Sequence, residues 1–248
     1  MKKTIGILGG MGPEATAYLF ELIIKNTKAV KDQEHIPVLI YSNPKIPPRT
    51  DAILEKGPSP LPLLVEGARI LRQAGADFIV MPCVTAHYYC QDLVKQENIL
   101  FLNLLDETLF YVKKNLPALT RIGLIASTGT LHSRLFHETF AKENIQVIGP
   151  SKEEQEQVME AIFGNKGIKA GFTSGAAQKS IQAVARKLIQ RGAESAIAGC
   201  TEIPLVLKQE DLSVPLLDPL QIIALKSIEE AGYEILPKKS LNYSRKFR

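Results

Sequence analysis

The chain is short of cysteine, has no long apolar run and carries almost no excess charge on its main body. Each shortage narrows what it can be. Its 248 residues include only three cysteines, Cys83, Cys90 and Cys200. An odd count without framework spacing excludes a disulfide-stapled scaffold and points to a reducing compartment. No stretch approaches the roughly 20 apolar residues that a membrane span needs. The opening MKKTIGILGGMGPEAT pairs two lysines with a short apolar run, as a secretory leader does. That run stops at Gly9 and Gly10 with no small-residue cleavage pattern behind it, so it is read as the first strand of a cytoplasmic protein. The formal charge of +4 comes from the last eleven residues, KKSLNYSRKFR, which hold five Lys or Arg and no acid; without them 25 bases face 26 acids. A nucleic-acid binder is expected to carry a basic face on its folded part. The tail is therefore read as a frayed, solvated end, and neither nucleic acid nor membrane is expected as a partner.

What is present is an ordinary globular composition, 45% hydrophobic and 23% charged. KTIGILGG reads as a strand, and Pro13 with Glu14 suits the first turn of a helix running to about Val30. IPVLIYSN is the next strand, and GARILRQAGADFIVMPC reads as helix, glycine stop, strand. ENILFLNLL follows, with a helix through DETLFYVKKN. Strands alternating with helices, several of them unbroken apolar runs, predict a parallel α/β architecture. The segment from Pro44 to Pro62 holds six prolines and interrupts this rhythm. It is read as a long loop of the kind that serves as a lid.

The chain also repeats itself. TIGILGGMGPEA is echoed by RIGLIASTGTLH, and QAGADFIVMPCVT by QRGAESAIAGCTE. Gly6 matches Gly123, Gly75 matches Gly192 and Cys83 matches Cys200, all at an offset of 117. The expectation is two similar α/β halves, each with one cysteine at the end of a corresponding strand. Ligands in open α/β sheets bind beyond the carboxyl ends of the strands. Two such halves facing each other would bring Cys83 and Cys200 to opposite walls of one cleft.

Each cysteine precedes an expected helix start, where the macrodipole and free N–H groups favour a thiolate. Thr85 and Thr201 stand beside them to cap those helices or to bond an anion. Other readings of the pair are a disulfide, a zinc site and plain packing. Cys83-x₃-His87 supplies only two of about four zinc ligands, and no histidine stands near Cys200. Cys90 has no counterpart, because Leu207 occupies the equivalent position, and it is assigned to structure. Gly10-x-Gly12-x-x-Ala15 with Asp32 downstream fits a dinucleotide fingerprint loosely, but that reading leaves Cys200 unexplained. A non-catalytic amino-acid-binding protein is a further alternative. Two thiols across a small-molecule cleft suit proton removal from one face of a carbon and donation to the other.

With these motifs the chain resembles the cofactor-independent aspartate/glutamate racemase superfamily, in particular its aspartate racemase branch. The matching pieces are GGMGPEAT at 9–16, PPRTDAIL at 47–54, MPCVTAH at 81–87, ASTGT at 126–130, GIKAG at 167–171 and AGCTEIPL at 198–205. The resemblance implies two flavodoxin-like halves related by a pseudo-twofold, with the active site between them. It implies no pyridoxal phosphate and commonly a homodimer, and from the ligand count above no metal is expected. Cys83 and Cys200 would be the acid/base residues, acting on aspartate or glutamate. Arg49 and Lys169 would neutralise its carboxylates, and Met11, Gly12 and Val84 would stand at substrate-binding positions. Thr85, Ser127, Thr128, Thr130 and Thr201 would orient the substrate, and Glu202 would tune Cys200. The family's first motif usually reads Cys-Asn-Thr; here it is Cys83-Val84-Thr85, and valine offers no donor or acceptor. The expected divisions are 1–116 with 213–236 for the first half, 117–212 for the second, and 237–248 for the basic tail.

Overall fold

The computed structural model describes residues 2–237; the basic tail from residue 238 onward lies outside the described residues. The elements through the first half are β1 (Ile5–Gly9), α1 (Pro13–Asn26), β2 (Val38–Ser42), α2 (Arg49–Ile53), α3 (Leu61–Gln73), β3 (Phe78–Val80), α4 (Cys90–Gln96), β4 (Leu100–Phe101) and α5 (Leu104–Asn115). They continue with β5 (Arg121–Ile125), α6 (Thr128–His132), α7 (Leu135–Ala141), β6 (Gln146–Ile148), α8 (Lys152–Phe163), α9 (Ala176–Gln190), β7 (Ser195–Ala198), α10 (Ile203–Val206), β8 (Leu216–Leu217) and α11 (Pro219–Glu230). Two four-stranded sheets result, in the orders β2-β1-β3-β4 and β6-β5-β7-β8, with every pairing parallel. This is the α/β class expected, and the two sheets share one strand order.

The internal repeat has a packing cause. A Cβ on Gly6 would lie 2.9 Å from the Cβ of Ala76, and one on Gly123 would lie 3.2 Å from that of Ala193. Both alanines close the turn between a helix and the next strand, which passes over the sheet too closely for a side chain. Gly75 and Gly192 make that turn with φ of +98° and +93°, a left-handed conformation that suits glycine. The offset therefore records one βαβ crossover, built twice.

A continuous core runs between the two sheets. Ile5, Ile7 and Val80 of the first sheet cluster with Leu124 and Ile197 of the second, through Leu19 of α1, Val112 of α5, Phe136 of α7 and Ile223 of α11. Two further clusters cover the outer faces, one under α3 and one under α8 and α9. Burial of this kind stabilises by about 25 cal/mol per Å² of apolar surface.

Three local expectations need correction. First, α1 ends at Asn26 rather than near Val30, because Thr27 turns extended, with ψ 130°, and bridges to Ile235. Second, the proline-rich segment is not one loop. Pro48 leads into α2, and Pro62 falls in the first turn of α3, where a missing N–H costs nothing. Third, 213–236 does not stay together: Leu216 and Leu217 pair with β7 in the second sheet, and α11 packs on α1 and α5.

Candidate active site

The chain reverses direction across each sheet between β1 and β3, and between β5 and β7. Ligands bind at such switch points, beyond the strand ends. The segments leaving these four strands carry Met11 and Gly12, Cys83 to Thr85, Ser127, and Cys200 to Glu202. All of them line one cavity of about 750 Å³. Arg49 at the start of α2 and Lys169 on a short 3₁₀ turn complete its wall. Gly12 leaves room for these groups: a Cβ there would sit 3.2 Å from Lys169 Nζ and 3.3 Å from Glu202 Oε1.

Cys200 is 8% exposed, and its thiol donates to Glu202 Oε2 at 2.9 Å. Thr201 Oγ1 donates to the same carboxylate oxygen at 3.3 Å, while Lys169 Nζ is ion-paired with Oε1. Burial, and then the Glu202 charge, push the Cys200 thiol well above its ordinary value, although Lys169 opposes them. This corrects the expectation of a thiolate favoured by a helix N-terminus. Only the four-residue α10 follows Cys200, and Cys83 leads into a 3₁₀ turn at Thr85–Tyr89. α10 is too short to build a substantial dipole, so desolvation and Glu202 decide the outcome at Cys200. Desolvation pulls Lys169 down, but Glu202, Cys200 and Cys83 more than offset it, and its net shift is upward. The Lys169 charge thus couples to both thiols.

Cys83 is held from its own main chain. His87 Nδ1 donates to the Cys83 carbonyl at 2.9 Å, and its Nε2 accepts from the Leu104 N–H at 3.2 Å. Both ring nitrogens are therefore occupied. No group of three or more His, Cys, Asp or Glu among the described residues could hold a metal. Thr85 does not cap a helix as expected. Its hydroxyl lies 3.1 Å from that of Ser127 and 2.8 Å from that of Thr130, which are 3.2 Å from each other. This hydroxyl trio ties the Cys83 turn to the start of α6.

Of the expected site residues, Thr128 and Thr130 do not line the cavity. Thr130 is fully buried in the trio, and the Thr128 Oγ1 accepts from Gln155 Nε2 at 3.2 Å. Both belong to α6, whose first turn draws them back from the strand ends. Val84 lines the wall but also packs in the central core. Arg49 is committed on one side: it donates to the carbonyls of Ile46, Pro47 and Met11 at 3.1, 2.9 and 3.1 Å. Its buried Nε–H has no partner. Leaving such a donor unsatisfied costs about 1–3 kcal/mol, which a ligand oxygen would recover. Met159 and Phe163 on α8, with Ile46, Thr50 and Asp51, also line the cavity and were not anticipated. The proline-rich segment signalled the last three by its irregular composition; α8 carried no local signal. Cys90 borders a different cavity, and burial followed by Asp106 pushes its thiol to about 12.

A profile of the Asp/Glu/hydantoin racemase family matches residues 8–226. The broad specificity amino-acid racemase RacX of Bacillus subtilis (strain 168) is 25% identical over 229 residues, covering 90% of this chain and 96% of that protein. An aspartate racemase of Picrophilus torridus superposes with a TM-score of 0.84 at 28% identity, over 94% of this chain and 96% of that one. A glutamate racemase of Francisella tularensis, at 17% identity and TM-score 0.66, shares the fold over 93% of this chain and 82% of that one.

Proposed function

Because the chain belongs to the Asp/Glu/hydantoin racemase family, we propose that it racemises a free amino acid by passing the Cα proton between Cys83 and Cys200. The observation that carries this reading is that both cysteines, at equivalent strand ends of the two sheets, line the same cavity. One thiolate takes the Cα proton, leaving the electron pair on a planar carbanion. The opposite thiol then donates its proton to the other face. The product is the enantiomer, and the two sulfurs have exchanged protonation states. No electron leaves the substrate, so the reaction needs no redox partner.

The supporting groups have separate roles. Lys169 couples to both sulfurs and so favours whichever is the thiolate, and its charge opposes the build-up of negative charge in the transition state. Glu202 receives the Cys200 S–H and holds that thiol as the proton donor. Arg49 presents its unpaired Nε–H to the substrate α-carboxylate. Thr85 and Ser127 offer hydroxyls from the two sheets to the α-amino group.

An acidic substrate is the second reading, favoured by the convergence of Arg49 and Lys169 on one cavity. It requires a cation for each carboxylate, whereas Lys169 is already matched by Glu202. A homodimer belongs to the same reading, and light scattering of the purified protein decides it.

Solvent deuterium entering Cα of a candidate amino acid tests the proposal. Cys83→Ala and Cys200→Ala should each reduce this exchange by several orders of magnitude with the fold intact, and Cys90→Ala should change it little. Near-full racemisation by either of the first two variants would eliminate the two-thiol mechanism. A protein that binds amino acids without exchange would be a binding module on this scaffold.

A further inference from the structure

Resting on the racemase reading above, we infer that the substrate side chain is uncharged and apolar, larger than that of aspartate, and packs against Met159 and Phe163. Charge leads to the first part. Inside the cavity two cations, Arg49 and Lys169, face the Glu202 carboxylate and the single thiolate that proton transfer requires. That set sums to zero, which suits a zwitterion with a neutral side chain. A second carboxylate would add a negative charge in a partly desolvated site with no cation left to match it. At the rim, exposed Lys45 is offset by exposed Asp51, so it does not alter the balance.

The wall leads to the second part. Phe163 lines the cavity yet is 47% exposed; Lys169 Nζ lies over its ring at 5.6 Å from the centroid, and much of the remaining ring surface is open. Met159 stands one helical turn before it on α8, half-buried on the same wall. Its sulfur accepts from the Thr128 N–H at 3.2 Å, which holds the thioether as a polarisable surface on that wall. Val84 adds no donor or acceptor to the wall. The volume of about 750 Å³ also exceeds what a four-carbon acid fills, within the span of roughly 300–1,000 Å³ common for small-molecule sites.

The test is Cα deuterium uptake by the intact purified protein, followed by mass spectrometry, with alanine, leucine, methionine, phenylalanine, aspartate and glutamate as probes. Leucine, methionine or phenylalanine should exceed both acidic amino acids in kcat/KM by about tenfold or more. Phe163→Ala should lower the ratio of leucine to alanine kcat/KM by about tenfold, because only the longer side chain reaches the ring. Preference for aspartate or glutamate overturns this inference and leaves the two-thiol reading standing. An unchanged leucine-to-alanine ratio in Phe163→Ala overturns the placement of the side chain on α8. No exchange with any of the six overturns both the inference and the reading beneath it.

Discussion

Acidifying the solution to pH 4.5 drives a proton towards His87, a ring the fold commits to its neutral form. Its Nε2 must accept the Leu104 N–H, so Nδ1 carries the proton given to the Cys83 carbonyl. Burial, partly opposed by that carbonyl, pushes the His87 pKa from 6.5 to about 4. The folded value lies below the unfolded one, so the stabilisation is present above pH 6.5 and is lost as the pH falls towards 4. Between pH 7 and 4.5 the loss is about 2 kcal/mol, at about 1.4 kcal/mol per unit. Asp218 works in the opposite sense. Burial raises it from 3.8 to about 6, against hydrogen bonds from Tyr18 and from the first turn of α11. Its contribution is fully present below pH 3.8 and is lost as the pH rises through 6. The same acidification therefore returns about 2 kcal/mol, and the pair nearly cancels. Asp218→Asn removes one side of this balance: its amide oxygen can still accept from the Leu220 N–H, while its NH₂ donates to the Tyr18 hydroxyl, which then acts as acceptor. Urea unfolding at pH 7 and 4.5 should show the variant losing about 2 kcal/mol more than the parent over that interval. Other groups titrate in both proteins and drop out of the difference. Equal losses in the two proteins would refute a buried Asp218 held above its ordinary value.

Glu202→Gln removes the charge that holds the Cys200 thiol high and leaves Lys169 beside it. The rising limb of the pH–rate profile should move to lower pH, and loss of the buried ion pair should cost about 3 kcal/mol in thermal unfolding. An unmoved profile would show that Glu202 does not act on Cys200. Arg49→Lys cannot keep three carbonyl bonds and also present a free N–H. It should raise KM for every amino acid by about 10–100-fold. Selective loss of acidic substrates would instead place Arg49 on a side-chain carboxylate. Gly129→Ala puts a Cβ 2.9 Å from Thr50 Cα and 3.0 Å from Thr85 Cγ2, where α6 meets α2. It should cost about 1–3 kcal/mol and raise KM by displacing α2, as paired calorimetry and kinetics would show.

Much of this protein was legible along the chain because its causes are local. The glycines at 6, 75, 123 and 192 mark a strand crossed closely and a left-handed turn. Those needs act on single residues, so their repetition at one offset disclosed two crossovers of one design. The same offset paired Cys83 with Cys200, and strand ends of equal rank were then enough to expect one cleft. Composition alone also excluded a disulfide scaffold.

Other features depended on which distant surfaces meet. Leu216 and Leu217 are a two-residue apolar piece that either sheet could have taken, and only the free edge beside β7 settled their place. Met159 and Phe163 look like ordinary helix residues until α8 swings them onto the cavity wall. Thr85 and Thr201 carried a cap-like pattern, yet the hydroxyl trio and Glu202 offered stronger partners than short helix ends. The Cys200 thiol was expected to be lowered and is raised, because desolvation and a carboxylate brought against it outweigh a dipole only four residues long. Backbone conformation and the pairing of repeats are set by near neighbours, and the sequence determined them by itself. Burial, charge balance and the shape of the cavity are sums over residues far apart in the chain, and only the tertiary structure decided them.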